Sequence, residues 1–213
     1  MEDTYLHKGL RKKLVDEIKR KGIKDEKVLD AFNNVPRHLF MDSSFVKFSY
    51  KDQAFPIGAG QTISQPYTVA YQTELLEVKP RDKILEVGTG SGYQAAILVE
   101  MGAKVYTIER QKELFLKSQS LLKSLGYHAN FYYGDGYEGL PAFAPFDKII
   151  VTAGAREVPE TLLDQLKVKG IMIIPRGGKN HQEMLKIVKE GKENYTKTKH
   201  GAFVFVPLLK GKE

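Results

Sequence analysis

The sequence predicts an α/β protein built on a doubly wound, mostly parallel sheet. From about residue 81 onward, short runs of aliphatic residues alternate with longer segments of helical periodicity, which is typical of parallel strands joined by crossover helices. A glycine-rich turn at residues 88–92 directly follows the first of these runs. We therefore expect a sheet covered on both faces, with a helical extension before it and an antiparallel edge at its C-terminal end.

Two helices are predicted at the start of the chain. Apolar residues recur at helical spacing over residues 10–18, and Gly22 offers an end to the first helix. Asp25 can cap a second, shorter helix, which Pro36 ends.

A long segment without clear periodicity follows at residues 40–66. Long ordered loops in compact domains are usually functional. Pro66 suits a first helical position, and we expect a helix from there to about Val78. Residues 1–80 are expected to form helices and a substrate-side loop packed on a core of residues 81–213, with one structural domain overall.

The core elements follow in alternation. Strands are predicted at residues 83–87, 104–108, 129–133, 148–152 and 170–174, and helices at residues 93–101, 112–125 and 159–166. Residues 183–188 and 202–206 predict an antiparallel pair at the edge of the sheet.

Composition excludes several classes of function. The chain of 213 residues has no cysteine, which excludes disulfides, thiolate catalysis and Cys-ligated zinc. Its five histidines show no paired ligand spacing, so we expect no bound metal. The net charge of +7 is spread along the chain without an aromatic-flanked RNA-binding motif, so we expect no nucleic-acid partner. No signal peptide or membrane-spanning run is evident, and we expect a cytoplasmic monomer.

The loop EVGTGSGY at residues 86–93 is the first candidate binding site. Glycines let the backbone approach a ligand, and the N-terminus of the following helix offers free N–H groups to an anionic group. A glycine pattern alone is a weak signal, because tight strand-to-helix turns also use glycine for structural reasons.

Acidic residues at the ends of the next two strands strengthen this interpretation. Glu109 lies about 20 residues beyond Gly88, where a carboxylate can accept hydrogen bonds from both hydroxyls of a ribose. The alternative is a surface glutamate paired with Arg110. Asp135 could accept from an adenine amine and the Gly136 N–H could donate to the ring, although a plain Asp-Gly turn is the alternative. Together the three sites predict an adenosine cofactor in one crevice.

The spacing of the glycines favours one such cofactor. The dinucleotide fingerprint has its third glycine at the position of Tyr93, whereas this chain has Gly88, Gly90 and Gly92. This pattern fits S-adenosyl-L-methionine, in which a carboxylate replaces the pyrophosphate, better than NAD.

Several motifs together resemble one family. QTISQP (61–66), LEVGTGSGY (85–93), GDG (134–136), residues 144–170 and FVFVPL (203–208) closely resemble the protein-L-isoaspartate (D-aspartate) O-methyltransferases. RHLF and FPIG are further signatures, and the resemblance extends from about residue 35 to residue 209. The glycine loop is common to Rossmann-like methyltransferases, whereas QTISQP followed by a helix and then by that loop is specific. Gln61 and Val69 stand where some relatives have alanine and histidine.

The resemblance implies a set of site residues. Ser64 is expected to be the catalytic-site hydroxyl that orients the substrate carboxylate. Residue chemistry alone favours a cap of the following helix, and both roles could hold at once. Cofactor contacts are expected from Thr62, Ile63, Glu86, Gly88, Thr89, Gly90, Ser91, Gly92, Glu109, Arg110, Asp135 and Gly136. Substrate contacts are expected from Gln61, Thr62, Ser64, Val204 and Val206.

The implied reaction is methylation of the free α-carboxylate of L-isoaspartyl residues in damaged proteins and peptides. The methyl ester closes to a succinimide, which can reopen as normal aspartate. A carboxylate with a pKa of roughly 3.5 is already ionised at neutral pH, so no general base is required. The alternatives are an S-adenosylmethionine-dependent enzyme acting on a small molecule or RNA, and a non-catalytic adenosine-binding module.

Overall fold

The N-terminal helices form as predicted, and each has a side-chain cap. This computed structural model describes residues 2–178 and 180–213. Helix α1 (Tyr5–Arg20) begins with a capping box between Thr4 and His7. Helix α2 (Glu26–Asn34) is capped by Asp25, whose carboxylate accepts a hydrogen bond from the Lys27 N–H at 2.9 Å.

A small hairpin replaces part of the irregular segment that the sequence predicted. Strands β1 (Phe55–Gly58) and β2 (Gln61–Ile63) pair antiparallel, with Pro56 opposite Thr62. The strands have only four and three residues, too few for a period of two to be visible in the sequence. Helix α3 (Pro66–Leu76) ends earlier than expected, because Glu77 adopts a left-handed conformation with φ of 54°.

The main sheet has seven strands in the order β5-β4-β3-β6-β7-β8-β9. They are β3 (Lys83–Val87), β4 (Lys104–Glu109), β5 (Asn130–Tyr133), β6 (Phe146–Val151), β7 (Leu166–Gly177), β8 (Gln182–Lys189) and β9 (Tyr195–Phe203). Strands β3 to β7 run parallel, whereas β8 and β9 form the antiparallel edge. The strand order reverses beside β3, and open α/β sheets bind ligands beyond the carboxyl ends of the strands at such a point.

Helices cover both faces of this sheet. Helices α4 (Tyr93–Glu100), α5 (Lys112–Ser124) and α6 (Glu160–Asp164) connect the parallel strands. Ile84 faces a hydrophobic cluster that includes the N-terminal helices, whereas the adjacent Leu85 faces a second cluster that includes α6. Successive side chains along a strand thus pack into two separate hydrophobic cores, one on each face of the sheet. No described helix is long and apolar enough to span a membrane.

The final strand differs from the prediction. Residues 202–206 were expected to pair at the edge, but β9 ends at Phe203. Beyond it the Phe205 N–H donates to the side chain of Gln182, and the carbonyl of Val206 accepts from the Gly154 N–H, each at 2.8 Å. The chain therefore leaves the sheet edge and crosses toward the carboxyl end of β6. The true strand begins in a lysine- and threonine-rich stretch, and such polar residues are common on exposed edges.

Candidate functional site

A crevice opens at the carboxyl ends of the central strands. It is bounded by the turn after β2, the glycine loop after β3, the ends of β4 and β6, and the segment after β9. Of the expected cofactor contacts, Thr62, Ile63, Gly88, Thr89, Gly90, Ser91, Glu109, Arg110 and Gly136 line it. Glu86, Gly92 and Asp135 do not. The structure thus brings together expected residues from four segments that are distant in sequence, at 62–63, 88–91, 109–110 and 136.

The glycine loop is held tightly against the neighbouring strands. Gly88 has φ of 96°, and a Cβ there would lie 2.6 Å from the Thr152 hydroxyl. That hydroxyl donates to the carbonyl of Gly88 at 2.7 Å. Gly92 has a different reason to be glycine, since a Cβ would overlap Leu122 of α5. It serves helix packing beneath the crevice.

Glu109 is fixed by backbone donors and does not pair with its neighbour. One carboxylate oxygen accepts from the Gly90 N–H and the other from the Gln111 N–H, each at 2.9 Å. Arg110 instead pairs with Glu213 at 2.7 Å. The alternative interpretation of a Glu109–Arg110 ion pair is therefore wrong. Each oxygen of Glu109 keeps a further lone pair, so the carboxylate can still accept from a diol at the crevice.

Glu86 lies behind the loop in a chain of hydrogen bonds. The Thr107 hydroxyl donates to its carboxyl at 2.5 Å, and the Thr89 hydroxyl lies 2.6 Å from that of Thr107. The other oxygen of Glu86 is buried without a partner among the described residues. Burial raises the pKa of Glu86 to about 8, with a further contribution from the charge of Glu109. The side chain is therefore neutral over most of the physiological range.

Both carboxylate oxygens of Asp135 accept hydrogen bonds from backbone N–H groups of the protein. One oxygen accepts from the Tyr137 N–H at 2.8 Å, which closes a local turn, and the other accepts from the Gly211 N–H at 2.6 Å. Arg110 holds the same C-terminal segment through the carbonyl of Gly211 and the carboxylate of Glu213. The segment thus lies along the edge of the crevice formed by β4 and β5.

The QTISQP turn presents Ser64 with its hydroxyl unengaged. The Ser64 carbonyl accepts from Arg37 Nη2 at 2.8 Å, but no described residue hydrogen-bonds its Oγ. The capping role considered for Ser64 belongs to Asp52, which accepts from the Tyr67 N–H at 2.7 Å. The residue at the cap position itself, Gln65, makes no side-chain cap.

The guanidinium that lies behind the QTISQP turn is enclosed by protein. Arg37 is fully buried and stacks 4.9 Å from the ring centroid of Tyr93. Burial lowers its pKa to about 10, which still leaves the guanidinium charged at neutral pH. Positive charge is therefore fixed close to Ser64.

A second cleft of about 550 Å³ adjoins the crevice. Its walls are the QTISQP turn, the start of α3 and residues 202–206. Thr62, Ser64, Thr152 and Val206 line both cavities. Of the other expected substrate contacts, Val204 lines the cleft with a side chain 76% exposed, and Gln61 lines the crevice.

Three polar residues of the crevice were missed by sequence reasoning. Thr152 follows β6, and its place at the end of a parallel strand was the available signal. Gln72 and Gln94 also line the crevice, from α3 and α4. Each is a polar residue within a largely buried helix face, where an amide requires a partner.

The described residues also include one histidine cluster that sequence spacing could not show. Ligand atoms of Asp3, His7 and His38 lie within 4.8 Å of one another. Arg11 donates to both carboxylate oxygens of Asp3 at 3.0 Å, so a metal ion would have to displace a guanidinium cation. The two imidazoles stack with centroids 3.8 Å apart.

The donor and acceptor set of the crevice fits an adenosine cofactor. A carboxylate at the end of β4 suits ribose hydroxyls, and the glycine loop lines the crevice with backbone at Gly88 and Gly90. The crevice also has polar groups on its α3 side, beside the second cleft. A ligand can therefore extend from an adenosine end toward Ser64.

Comparisons with known proteins agree with this geometry. The family model described as protein-L-isoaspartate(D-aspartate) O-methyltransferase matches residues 9–213. A protein-L-isoaspartate O-methyltransferase of Christiangramia forsetii is 59% identical over 213 residues, which cover 100% of both chains.

Solved structures agree as well. One described as a protein-L-isoaspartate O-methyltransferase superposes with a TM-score of 0.84 at 30% identity, over 92% of this chain and 65% of that one. A structure from Plasmodium falciparum in complex with S-adenosyl-L-homocysteine is described as a protein-L-isoaspartate O-methyltransferase. It superposes with a TM-score of 0.83 at 29% identity, over 94% of this chain and 99% of that one. The chain belongs to the protein-L-isoaspartate(D-aspartate) O-methyltransferase family.

Proposed function

We propose that this chain repairs damaged proteins by transferring the methyl group of S-adenosyl-L-methionine to the free α-carboxylate of L-isoaspartyl residues. The ester product closes to a succinimide, which can reopen as normal aspartate. The observation that carries the assignment of the site is the unengaged hydroxyl of Ser64, which lines both the cofactor crevice and the second cleft.

The cofactor is proposed to lie across the carboxyl ends of β3, β4 and β5. Glu109 accepts from the ribose hydroxyls with the lone pairs that the backbone leaves free. Gly136 and Asp135 would hold the adenine, and Asp135 would accept from the adenine amine through a lone pair that the Tyr137 and Gly211 N–H groups leave free. When bound, S-adenosylmethionine supplies a methyl group activated by a sulfonium.

Ser64 is proposed to orient the substrate carboxylate by donating a hydrogen bond from its hydroxyl. The carboxylate arrives ionised, so the residue has no proton to remove. One carboxylate oxygen forms a bond to the methyl carbon, and the electrons of the broken carbon–sulfur bond remain on sulfur. Arg37, behind the turn, adds a positive charge that favours the incoming anion.

Alignment is the main contribution of the protein. The second cleft brings the carboxylate to Ser64, while the crevice positions the methyl donor on the other side of the same turn. Proximity and orientation of this kind can lower a barrier by about 7 to 11 kcal/mol. Exclusion of water by the two bound ligands is the second contribution that we expect.

Peptide recognition is proposed to use the protein backbone, since damage arises at many sequences. The Val206 carbonyl is paired with Gly154, whereas no described residue accepts from the Val206 N–H. That donor, together with the turn of Gln61, Thr62 and Ser64 and the exposed Val204, can hold an extended peptide. Residues 1–80 then form the substrate side of a core at 81–213. We expect the chain to act as a cytoplasmic monomer without a nucleic-acid partner.

The test is methyl transfer from labelled S-adenosylmethionine to paired peptides, one isoaspartyl and one normal aspartyl. Base-labile label on the isoaspartyl peptide alone supports the proposal. Label on neither peptide, in a protein that binds S-adenosylhomocysteine, overturns it and leaves a small-molecule or RNA methyltransferase or a non-catalytic adenosine-binding module. Ser64→Ala is the matched variant, and it should transfer less labelled methyl group to the isoaspartyl peptide than the parent does.

A further inference from the structure

Gln94 carries a buried hydrogen-bond acceptor without a partner inside the crevice wall. Its Oε1 is enclosed, and no hydrogen bond reaches it from residues 2–178 or 180–213. The residue lies in the first turn of α4, directly after the glycine loop, and lines the crevice. Buried acceptors in proteins are nearly always paired with protein or with ordered water, so this oxygen can take a donor from a bound ligand.

The orientation of the Gln94 amide follows from its neighbours. The Thr73 hydroxyl gives its only hydrogen to the Val69 carbonyl at 2.7 Å. Thr73 Oγ1 can therefore only accept, and Gln94 Nε2 donates to it at 3.0 Å. Rotating the amide would place two acceptors face to face. The oxygen is therefore the amide atom left without a partner, in a side chain that lines the crevice.

No other amide of this wall can satisfy that oxygen. Gln72 also lines the crevice, but its Nε2 donates to the Val151 carbonyl at 3.0 Å and contacts the Met184 sulfur at 3.6 Å. Both of its amide hydrogens are thus engaged. No described residue donates to Gln94 Oε1, and a donor of a ligand bound in the crevice can fill this role.

S-adenosylmethionine has three kinds of conventional donor: the adenine amine, the ribose hydroxyls and the α-ammonium of its methionine part. The acceptors proposed for the first two, Asp135 and Glu109, follow β5 and end β4. Gln94 is instead tied to α3, on the side of Ser64 and Val69. Only the ammonium remains for it.

We propose that Gln94 Oε1 accepts a hydrogen bond from the α-ammonium of the cofactor, and that Thr73 is the positioning residue that holds the amide in this orientation. The inference rests on the cofactor of the proposed function but not on its methyl acceptor. The Gln94 carboxamide in the crevice wall thereby favours adenosine ligands that carry an amino-acid group over those that lack one.

Calorimetric titration with two ligands tests this: S-adenosylhomocysteine, and its analogue in which hydrogen replaces the α-amino group. Gln94→Leu should weaken binding of S-adenosylhomocysteine by about tenfold or more, and of the analogue by less than about threefold. Thr73→Val leaves Gln94 Oε1 in place but removes the acceptor that fixes the amide. It should therefore weaken binding of S-adenosylhomocysteine by less than Gln94→Leu does, but by more than it weakens binding of the analogue. The matched control is Gln165→Leu, a buried glutamine whose amide atoms are paired within the fold.

Gln165→Leu should lower the unfolding temperature without changing the ratio of the two affinities. Equal losses for both ligands in Gln94→Leu and Thr73→Val would overturn the inference, because the amide would then support only packing. If Gln94→Leu does not fold, Thr73→Val decides by the same ratio. A parent protein that binds neither ligand overturns the cofactor assignment itself, and one that binds both but methylates no isoaspartyl peptide overturns only the acceptor.

Discussion

Arg37 donates from Nη2 to the main-chain carbonyl of Ser64 at 2.8 Å, so a buried cation fixes the turn that carries the proposed catalytic-site hydroxyl. The same guanidinium stacks on Tyr93 at the start of α4. One side chain therefore links the QTISQP turn to the helix that follows the glycine loop. The position of Ser64 relative to the cofactor depends on this link.

Arg37→Lys should lower kcat by about tenfold or more while leaving the dissociation constant of S-adenosylhomocysteine within about twofold, because a lysine cannot both reach Ser64 and stack. Arg11→Lys is the matched control, since Arg11 is also buried but holds Asp3. Steady-state kinetics and calorimetry make the comparison. A loss of kcat in Arg11→Lys equal to that in Arg37→Lys would attribute the effect to stability alone.

Ser64→Ala should reduce kcat by about tenfold to a hundredfold, since one charge-assisted hydrogen bond to the substrate is lost. Binding of S-adenosylhomocysteine should change little. Ser44→Ala, an exposed serine elsewhere in the N-terminal part, is the control. Intact turnover in a folded Ser64→Ala protein would exclude the orienting role.

Asp52→Ala should lower stability by about 1 kcal/mol or more, because this carboxylate caps α3 and also pairs with Lys21 at 2.5 Å. Ser64→Ala should leave stability nearly unchanged, since its hydroxyl caps nothing. Denaturant unfolding of the two variants separates the roles. The reverse order of stability losses would restore Ser64 as the cap.

Val206→Pro removes a backbone donor from the segment that lines both cavities, and should raise the KM for an isoaspartyl peptide with little effect on cofactor affinity. Val206→Ala shortens the side chain but keeps the N–H, and should behave like the parent. An unchanged KM in a folded Val206→Pro protein would remove this segment from peptide binding.

Glu86→Gln should remove a pH dependence of stability. The carboxyl has a pKa of about 8 in the folded state against 4.5 as its ordinary value, so the folded state binds more protons between these values. The stability of the parent therefore falls as pH rises from about 4.5 toward 8, and levels off above it. Relative to the parent, the free energy of unfolding of Glu86→Gln should rise by up to about 1.4 kcal/mol for each pH unit in this window. Denaturant unfolding at several pH values measures it, with the surface variant Glu26→Gln as control.

The sequence predicted the parallel core well because its strands are short, largely apolar segments that alternate with helical ones. The segment Lys83–Val87 is mostly buried, and the glycine loop follows it directly. The β1–β2 hairpin and the edge strand β9 could not be predicted in the same way. Their backbone pairing is fixed by turns and by neighbours distant in sequence, while their side chains carry little apolar periodicity.

The candidate site shows the same division. Ser64, Gly88 and Glu109 were identified from motifs and from strand ends, and the structure places them around one crevice. The hydrogen-bond partners of Asp135 and Glu86 required the fold, because Gly211 and Thr107 reach them through tertiary contacts. Gln94 was missed since a single amide in an apolar helix gives no pattern.

The wall shared by the crevice and the second cleft has a thermodynamic consequence. Thr62, Ser64, Thr152 and Val206 contact both spaces, so a ligand in one space restricts residues that the other ligand must meet. If one ligand changes the affinity for the other by some factor, the reverse change has the same factor. Esterification removes the negative charge that Ser64 and Arg37 favour, and the spent cofactor has lost its sulfonium charge. The ester has lost the charge that favours the carboxylate at this wall, so we expect it to bind more weakly than the substrate and to leave the shared residues free.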